Sequence, residues 1–278
     1  MIYMGALMLP GATYAQMPLF KVELPDSVIE SLKERNSRIT ISTMNGKTEI
    51  EAYEYSDCSS LREVIVDEGI EKIGEYAFLG CTELKSISLP STLREIGEGA
   101  FRDCSALKRL EIPEGVKIIP PYMCAWDENL EEIIIPSSVE DIGRNAFSYC
   151  YKLKDLKLPE KLKHIGANAF SFCESLKEIV VPDSMEELES YAFSGCTSLS
   201  KAQLPSNHNM LGELIFTGCE NLREIKCNSA TPPTFDCDSP PFDPYEASLW
   251  QHCRLIVPEE SKTLYSKAKG WELFFLSE

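Results

Sequence analysis

CTELKSISLPSTLREIGEGAFRDC, residues Cys81 to Cys104, decides the fold. The cysteine that closes this stretch opens the next copy, and cysteines stand in one register of 23 residues at positions 58, 81, 104, 150, 173, 196 and 219. Asp127 occupies the single vacancy. Counting from each cysteine as zero, leucine falls three places on in every copy, from Leu61 and Leu84 to Leu199 and Leu222. Aliphatic pairs at six and eight places, such as Val64/Val66 and Ile179/Val181, alternate with the period of a strand buried on one face. A proline follows in six copies, from Pro90 to Pro205, closing the strand where a lost amide donor matters least. Aliphatics return at twelve and fifteen places, and most copies then carry glycine and an Ala-Phe pair. The spacing of Ile96, Ala100, Phe101 and Cys104 predicts a short helical turn pointing inward.

A unit this small cannot bury a core alone, so neighbouring units must stack, and the product is a solenoid. Adjacent strands then pair in parallel about 4.8 Å apart, as a ladder on one face. The pattern C-x2-L-x2-I-x-L-P-x2-L-x2-I-G-x2-A-F-x2-C resembles the leucine-rich repeat class typified by the bacterial surface protein BspA, over about residues 50–227. The resemblance implies an α/β fold: a curved leucine-rich solenoid with a parallel β-ladder on the concave face and short helical turns. It also implies extracellular adhesion or host-interaction roles.

Around the repeats, four regions are expected. Residues 1–15, MIYMGALMLPGATYA, read as the back half of a secretory signal, with Thr13 and Ala15 at the small-residue positions before Gln16. The stretch is too short to span a membrane. Residues 16–57 read as an N-terminal cap, with a short helix over 27–35 and a hairpin turning on Asn45-Gly46. The solenoid occupies 58–227, and 228–278 read as a C-terminal cap with a strand from Leu255 to Val257, a helix from Ser261 to Ala268 and a last strand from Leu273 to Leu276. Two copies depart from the pattern. In the third, Pro120-Pro121 replace the glycine-bearing turn and Cys124 takes the Phe place, which disfavours a helical turn there. In the seventh, His208 and Ile215 take the Leu and Ala places, and looser packing is expected.

The chain has 278 residues, 44% of them hydrophobic, and a net charge of −17. That charge opposes nucleic acid and anionic membranes as partners. Eleven cysteines in an exported chain suggest disulfides, but one thiol per rung in a shared buried slot reads as an apolar filler. Cys237 and Cys253, outside the ladder, are the best disulfide candidates. His252-Cys253 lacks the partners of a zinc site, and Asp236, Asp238 and Asp243 lack the ligand series of a calcium loop. No phosphate loop, G-x-S-x-G or H-E-x-x-H occurs, so a non-enzymatic chain without cofactors is expected.

Binding surfaces are the remaining functional signal. The ladder exposes residues five and seven places on, including Arg109, Glu132, Ile134 and Val180, a face suited to a protein partner. The sharper signal lies just before the cysteine place, which is Gly80, Asp103, Gly195 or Gly218 in four copies. Three consecutive copies instead carry Trp126, Tyr149 and Phe172, with Tyr151 close by. One rung apart, these would form an aromatic patch at the solenoid edge, suited to a protein hot spot or to stacking on the sugar rings of a glycan. A host protein partner, a glycan and a purely structural surface role all stay open.

Overall fold

A computed structural model describes residues 38–43, 46–206, 210–234, 242 and 252–275. The leader, the helix expected over 27–35, His208, Cys237 and the Asp236/Asp238/Asp243 cluster lie outside the described residues.

The chain is a parallel-strand solenoid of about eight turns with little helix. Two ladders run its length. The first uses the alternating strands read from the repeat, with register such as Glu63↔Ser86, Arg109↔Glu132 and Lys201↔Glu224. The second uses two-residue strands at the second aliphatic stretch, as in Lys72↔Glu95, Asp141↔His164 and Glu187↔Met210. A third set of rung-to-rung bonds runs through the turns, where the Phe78, Phe147 and Phe170 amides donate to Ala100, Ala169 and Ala192 at 2.8 Å.

That third set replaces the predicted helical turns. Two residues in each turn adopt left-handed backbone, for example Tyr76 (φ 53°) and Gly80 (φ 70°), or Tyr122 (φ 56°) and Trp126 (φ 66°). Each left-handed residue turns its amide along the solenoid axis, towards the next rung, instead of back into a helix. Pro120 and Pro121 leave this turn intact, since Tyr122 and Cys124 still donate to Arg144 and Ala146. Their effect falls on the second ladder. The glycine amide of that place normally donates to the preceding rung, as Gly97 does to Ile73 and Gly143 to Ile119 at 2.8 Å. Pro120 has no amide to give, and the second ladder is interrupted between Glu95–Ile96 and Ile118–Ile119.

The expected hairpin at Asn45-Gly46 is also replaced. Arg38–Ile41 pairs in parallel with Glu63–Val66, and Glu49–Ile50 pairs in parallel with Lys72–Ile73. The two segments therefore belong to different ladders of one rung, because both offer a buried alternate face to the strands beside them. At the other end Arg254–Ile256 extends the first ladder beside Glu224–Cys227. The helix there is Lys262–Tyr265, after a 3-10 turn, and the expected last strand is a 3-10 turn, Glu272–Phe275. Packing decides that outcome: Phe274 meets Phe242 edge-on at 5.1 Å, and buried Trp271 donates its Nε1 to the Pro233 carbonyl.

Inside, each repeated residue becomes a column. Phe147, Phe170, Phe193 and Phe216 stack at 5.3, 5.4 and 5.9 Å. Ile215 is fully buried in the Ala place. The register thiols are buried and form no disulfide among the described residues, and burial raises the pKa of those from Cys58 to Cys196, which keeps them protonated and unreactive. Six of them, from Cys81 to Cys219, also donate the S–H to a carbonyl of the preceding rung, as Cys81 does to Tyr55 at 3.1 Å and Cys196 to Phe170 at 3.2 Å. Cys253 is likewise a free, buried thiol.

Asp127 sits fully buried in that thiol column. Its Oδ1 accepts the Cys104 amide at 2.7 Å, while Oδ2 has no hydrogen-bond partner. Burial pushes its carboxyl well above the usual carboxylate range, against the pull of the Cys104 amide and the nearby Cys124 thiol. Such an acid is protonated in the fold and ionised when unfolded, so stability is fully present below the ordinary carboxylate pKa and is lost as pH rises towards the folded value. Asp127→Cys should therefore stabilise the chain by about 1–3 kcal/mol near neutral pH. Its advantage should grow from pH 5.5 to 7.5 by up to about 1.4 kcal/mol per unit. Urea unfolding of both proteins at the two pH values checks this, and a pH-independent difference would contradict a protonated Asp127.

Candidate functional site

The solenoid brings the four predicted aromatic residues together. Trp126 and Tyr149 stack at 5.0 Å with 11° between planes, and Tyr149 and Phe172 at 4.9 Å with 6°. Tyr151 meets Tyr149 edge-on at 6.1 Å. Each column residue is anchored by its own amide, which donates to the next rung: Trp126 to Ser148, Tyr149 to Ser171, Phe172 to Ser194.

All three rings stand on left-handed backbone, at φ 66°, 63° and 59°. The same place in neighbouring rungs holds Gly80, Gly195 and Gly218, with φ 70° to 73°. Left-handed backbone costs a residue with a Cβ about 1–2 kcal/mol, and for bulky side chains it is an outlier. Two stacked pairs return about 0.5–1.5 kcal/mol each. Over three residues the strain comes to about 3–6 kcal/mol and the two stacks return about 1–3 kcal/mol, so folding does not require the column.

Three further residues extend the edge. The Arg102 guanidinium lies 4.7 Å over the Trp126 ring and 5.7 Å from that of Tyr122, and the Arg144 guanidinium lies 5.3 Å from the Tyr122 ring. The register could have shown Arg102 and Tyr122, because Arg102 is one place before the column slot of its rung and Tyr122 is four before Trp126. Glu128 and Glu174 flank Tyr151 closely enough to raise its phenol pKa, after burial as the larger cause.

The strand-face candidates fall elsewhere and do not converge. Arg109 is held by Glu111 and Glu132, each at 2.9 Å, so its guanidinium is already engaged. Ile134 is half-buried opposite Glu111. Val180 is 57% exposed and lies beyond an interruption in the first ladder. There Lys154–Leu158, which has no β-branched residue, forms only a single bridge from Asp155 to Glu132. A groove of about 880 Å³ opens at the interruption, lined by Lys157, Lys177, Val180 and Gln203 among others.

No group of three or more His, Cys, Asp and Glu among the described residues could hold a metal ion. His252 is exposed. No helix among the described residues is long and apolar enough to cross a membrane.

The repeat, the parallel ladders and the buried Leu, Phe and Cys columns match one known family. Six copies of the BspA type leucine-rich repeat region are found over residues 48–140 and 117–232. The chain belongs to that family. Among solved structures it is similar to a leucine-rich repeat protein from Bacteroides ovatus, at 25% identity and TM-score 0.52, covering 83% of this chain and 65% of that one. A leucine-rich repeat protein of T. pallidum is similar at 27% identity and TM-score 0.49, covering 68% of this chain and 79% of the other. A leucine-rich cell surface protein from Faecalibacterium prausnitzii follows at 23% identity and TM-score 0.47, covering 80% and 73%. None of the curated proteins matches this chain.

The left-handed slot predicts an unusual order among variants. Glycine at positions 126, 149 and 172 relieves the backbone that alanine keeps strained. The triple glycine variant should therefore melt at or above the triple alanine variant, a gap of about 1 kcal/mol per site at most. Thermal denaturation followed by circular dichroism decides it. Glycine variants melting below the alanine ones would show that these residues are not held left-handed.

Proposed function

We propose that this chain is a non-catalytic recognition module of the bacterial cell surface that binds a protein partner through the column of Trp126, Tyr149 and Phe172, with Tyr151 beside it. One observation carries the reading. Three large rings occupy successive rungs at a left-handed place that glycine serves elsewhere, and their stacking does not repay the strain. A feature that folding leaves free to vary, yet which is built over three rungs, is a candidate for selection by binding.

A protein partner suits the column better than a glycan does. The rings lie face to face, so along most of the column their faces cover one another and their edges point outward. Sugar rings need exposed faces, whereas protein interfaces take edges, aromatic anchors and arginine together. The strand face is the weaker candidate, because Arg109 is already paired with its neighbours. Surface display rests on the apolar stretch Met1–Ala15 and on the roles implied by the family resemblance.

The test uses residues 16–278 and two variants. One changes Trp126, Tyr149 and Phe172 to glycine, and the other combines Arg109→Glu with Val180→Asp. All are applied to a panel of extracellular-matrix proteins and to a glycan array, with matched melting curves. A protein hit should weaken at least tenfold in the glycine variant, about the effect of one lost hot-spot residue, and persist in the strand-face variant. The reverse pattern would move the site to the strand face. Glycan binding alone would replace the protein partner, and silence throughout would favour a structural role.

A further inference from the structure

The two ends of the aromatic column differ. At the Trp126 end the last ring face is covered by the Arg102 guanidinium at 4.7 Å. At the Phe172 end no ring or cation stacks on the outer face among the described residues, and Phe172 is 38% exposed. The next two rungs carry glycine at the column place, Gly195 and Gly218. A Cβ on Gly195 would come within 2.7 Å of the Phe172 ring, so that ring lies over Gly195. By the same lean, a ring borne by residue 195 would lie over Gly218. Around Gly218 a Cβ would meet nothing nearer than the Gly195 backbone at 3.5 Å among the described side chains and backbone.

Charge sets what suits this place. Two residues after each column slot stands a flanking residue: Glu128, Tyr151, Glu174, Thr197 and Glu220 in successive rungs. Glu174 and Glu220 therefore border the open end, and both are exposed. No ion pair engages their carboxylates among the described residues. The nearby cation of Lys152 is engaged by Asn129 Oδ1. An electron-rich ring face between unpaired carboxylates, on a chain of net charge −17, attracts a cation and repels an anion.

We infer that the Phe172 end receives an arginine side chain of the partner protein, its guanidinium stacked on Phe172 over Gly218 and drawn by Glu174 and Glu220. This rests on the proposed binding at the column and adds the chemistry that the partner must present. A planar, delocalised cation fits a stacking slot better than a compact ammonium does. Arg102 supplies the same contact from within the chain at the opposite end.

Calorimetric titration of the full chain with hexaarginine, hexalysine and cellohexaose tests the inference. Hexaarginine should bind more tightly than hexalysine. Phe172→Gly should weaken it about threefold to thirtyfold, the range of a cation–aromatic contact. Glu174→Gln with Glu220→Gln should weaken it comparably, while Glu71→Gln with Glu75→Gln, which removes the same charge elsewhere, should not. Equal loss from both glutamate pairs, an unchanged Phe172→Gly, or no binding of hexaarginine would overturn the assignment. So would cellohexaose binding that Phe172→Gly abolishes, since that marks a neutral ring as the ligand. If the triple glycine variant loses a protein partner while Phe172→Gly leaves hexaarginine binding unchanged, the column stands as a binding surface and only the guanidinium fails.

Discussion

The rung-to-rung backbone hydrogen bond governs this molecule. Each turn of chain is too small to bury its own apolar face, and it becomes stable only when its amides and carbonyls are met by the rungs on either side. Three sets of such bonds run along the axis, two through strands and one through left-handed turn residues. Their common consequence is register. Residues 23 apart stand above one another, so any residue type that recurs in the sequence becomes a column in space. Leucine, phenylalanine and cysteine columns make the core. The cysteine column adds a function that packing alone would not require, because the thiols from Cys81 to Cys219 give a second hydrogen bond to a carbonyl that already accepts an amide from its own turn, as Cys104 does to Phe78. Alanine would fill part of the volume and leave that lone pair unmet.

Where a residue cannot join one set of bonds, the others hold the stack together. Pro120 removes the amide that the second ladder needs, yet the turn around it keeps its bonds to the next rung. Lys154–Leu158 drops out of the first ladder, while His164–Ile165 stays paired on both sides in the second. Asp127 replaces a thiol with a buried acid, and the Phe column is broken in the same copy by Cys124. The fold tolerates these departures because no single ladder carries a rung alone.

That redundancy also explains what could be read in advance. The Leu, Phe and Cys places, the strand alternation and the aromatic edge of Trp126, Tyr149 and Phe172 were legible, because each follows from counting in one period. Turn geometry was less so. The spacing of Ile96, Ala100 and Phe101 fits one helical turn as well as it fits the left-handed turn that forms. The distinguishing signal lay in the column slot itself, where Gly80, Asp103, Gly195 and Gly218 are residue types that enter left-handed backbone with little or reduced penalty. Asn45-Gly46 carried a strong local hairpin signal, but the neighbouring rung offers two parallel partners, and tertiary pairing overrode it. The 3-10 turn over Leu273, Phe274 and Phe275 was hidden for a related reason. Its apolar run suits a strand until Phe242 takes both the Phe274 and the Trp271 ring edge-on.

The aromatic column begins in the copy where the repeat is least regular. Trp126 directly precedes Asp127 and lies two residues after Cys124, so the outer stack starts where the inner Phe column is broken. Two physical accounts of that coincidence differ in what they require. If the rings served only to seal a weakened rung, they would be needed beside Asp127 and nowhere else. Tyr149 and Phe172 instead stand beside Cys150 and Cys173, whose rungs have intact thiol and Phe columns. Those two residues bear left-handed strain where nothing inside needs sealing. The stack also continues away from the irregular copy and stops at glycines, with its last face uncovered by described residues. Sealing accounts for Trp126 at most; the extension to Phe172 is the part that the proposed recognition role explains.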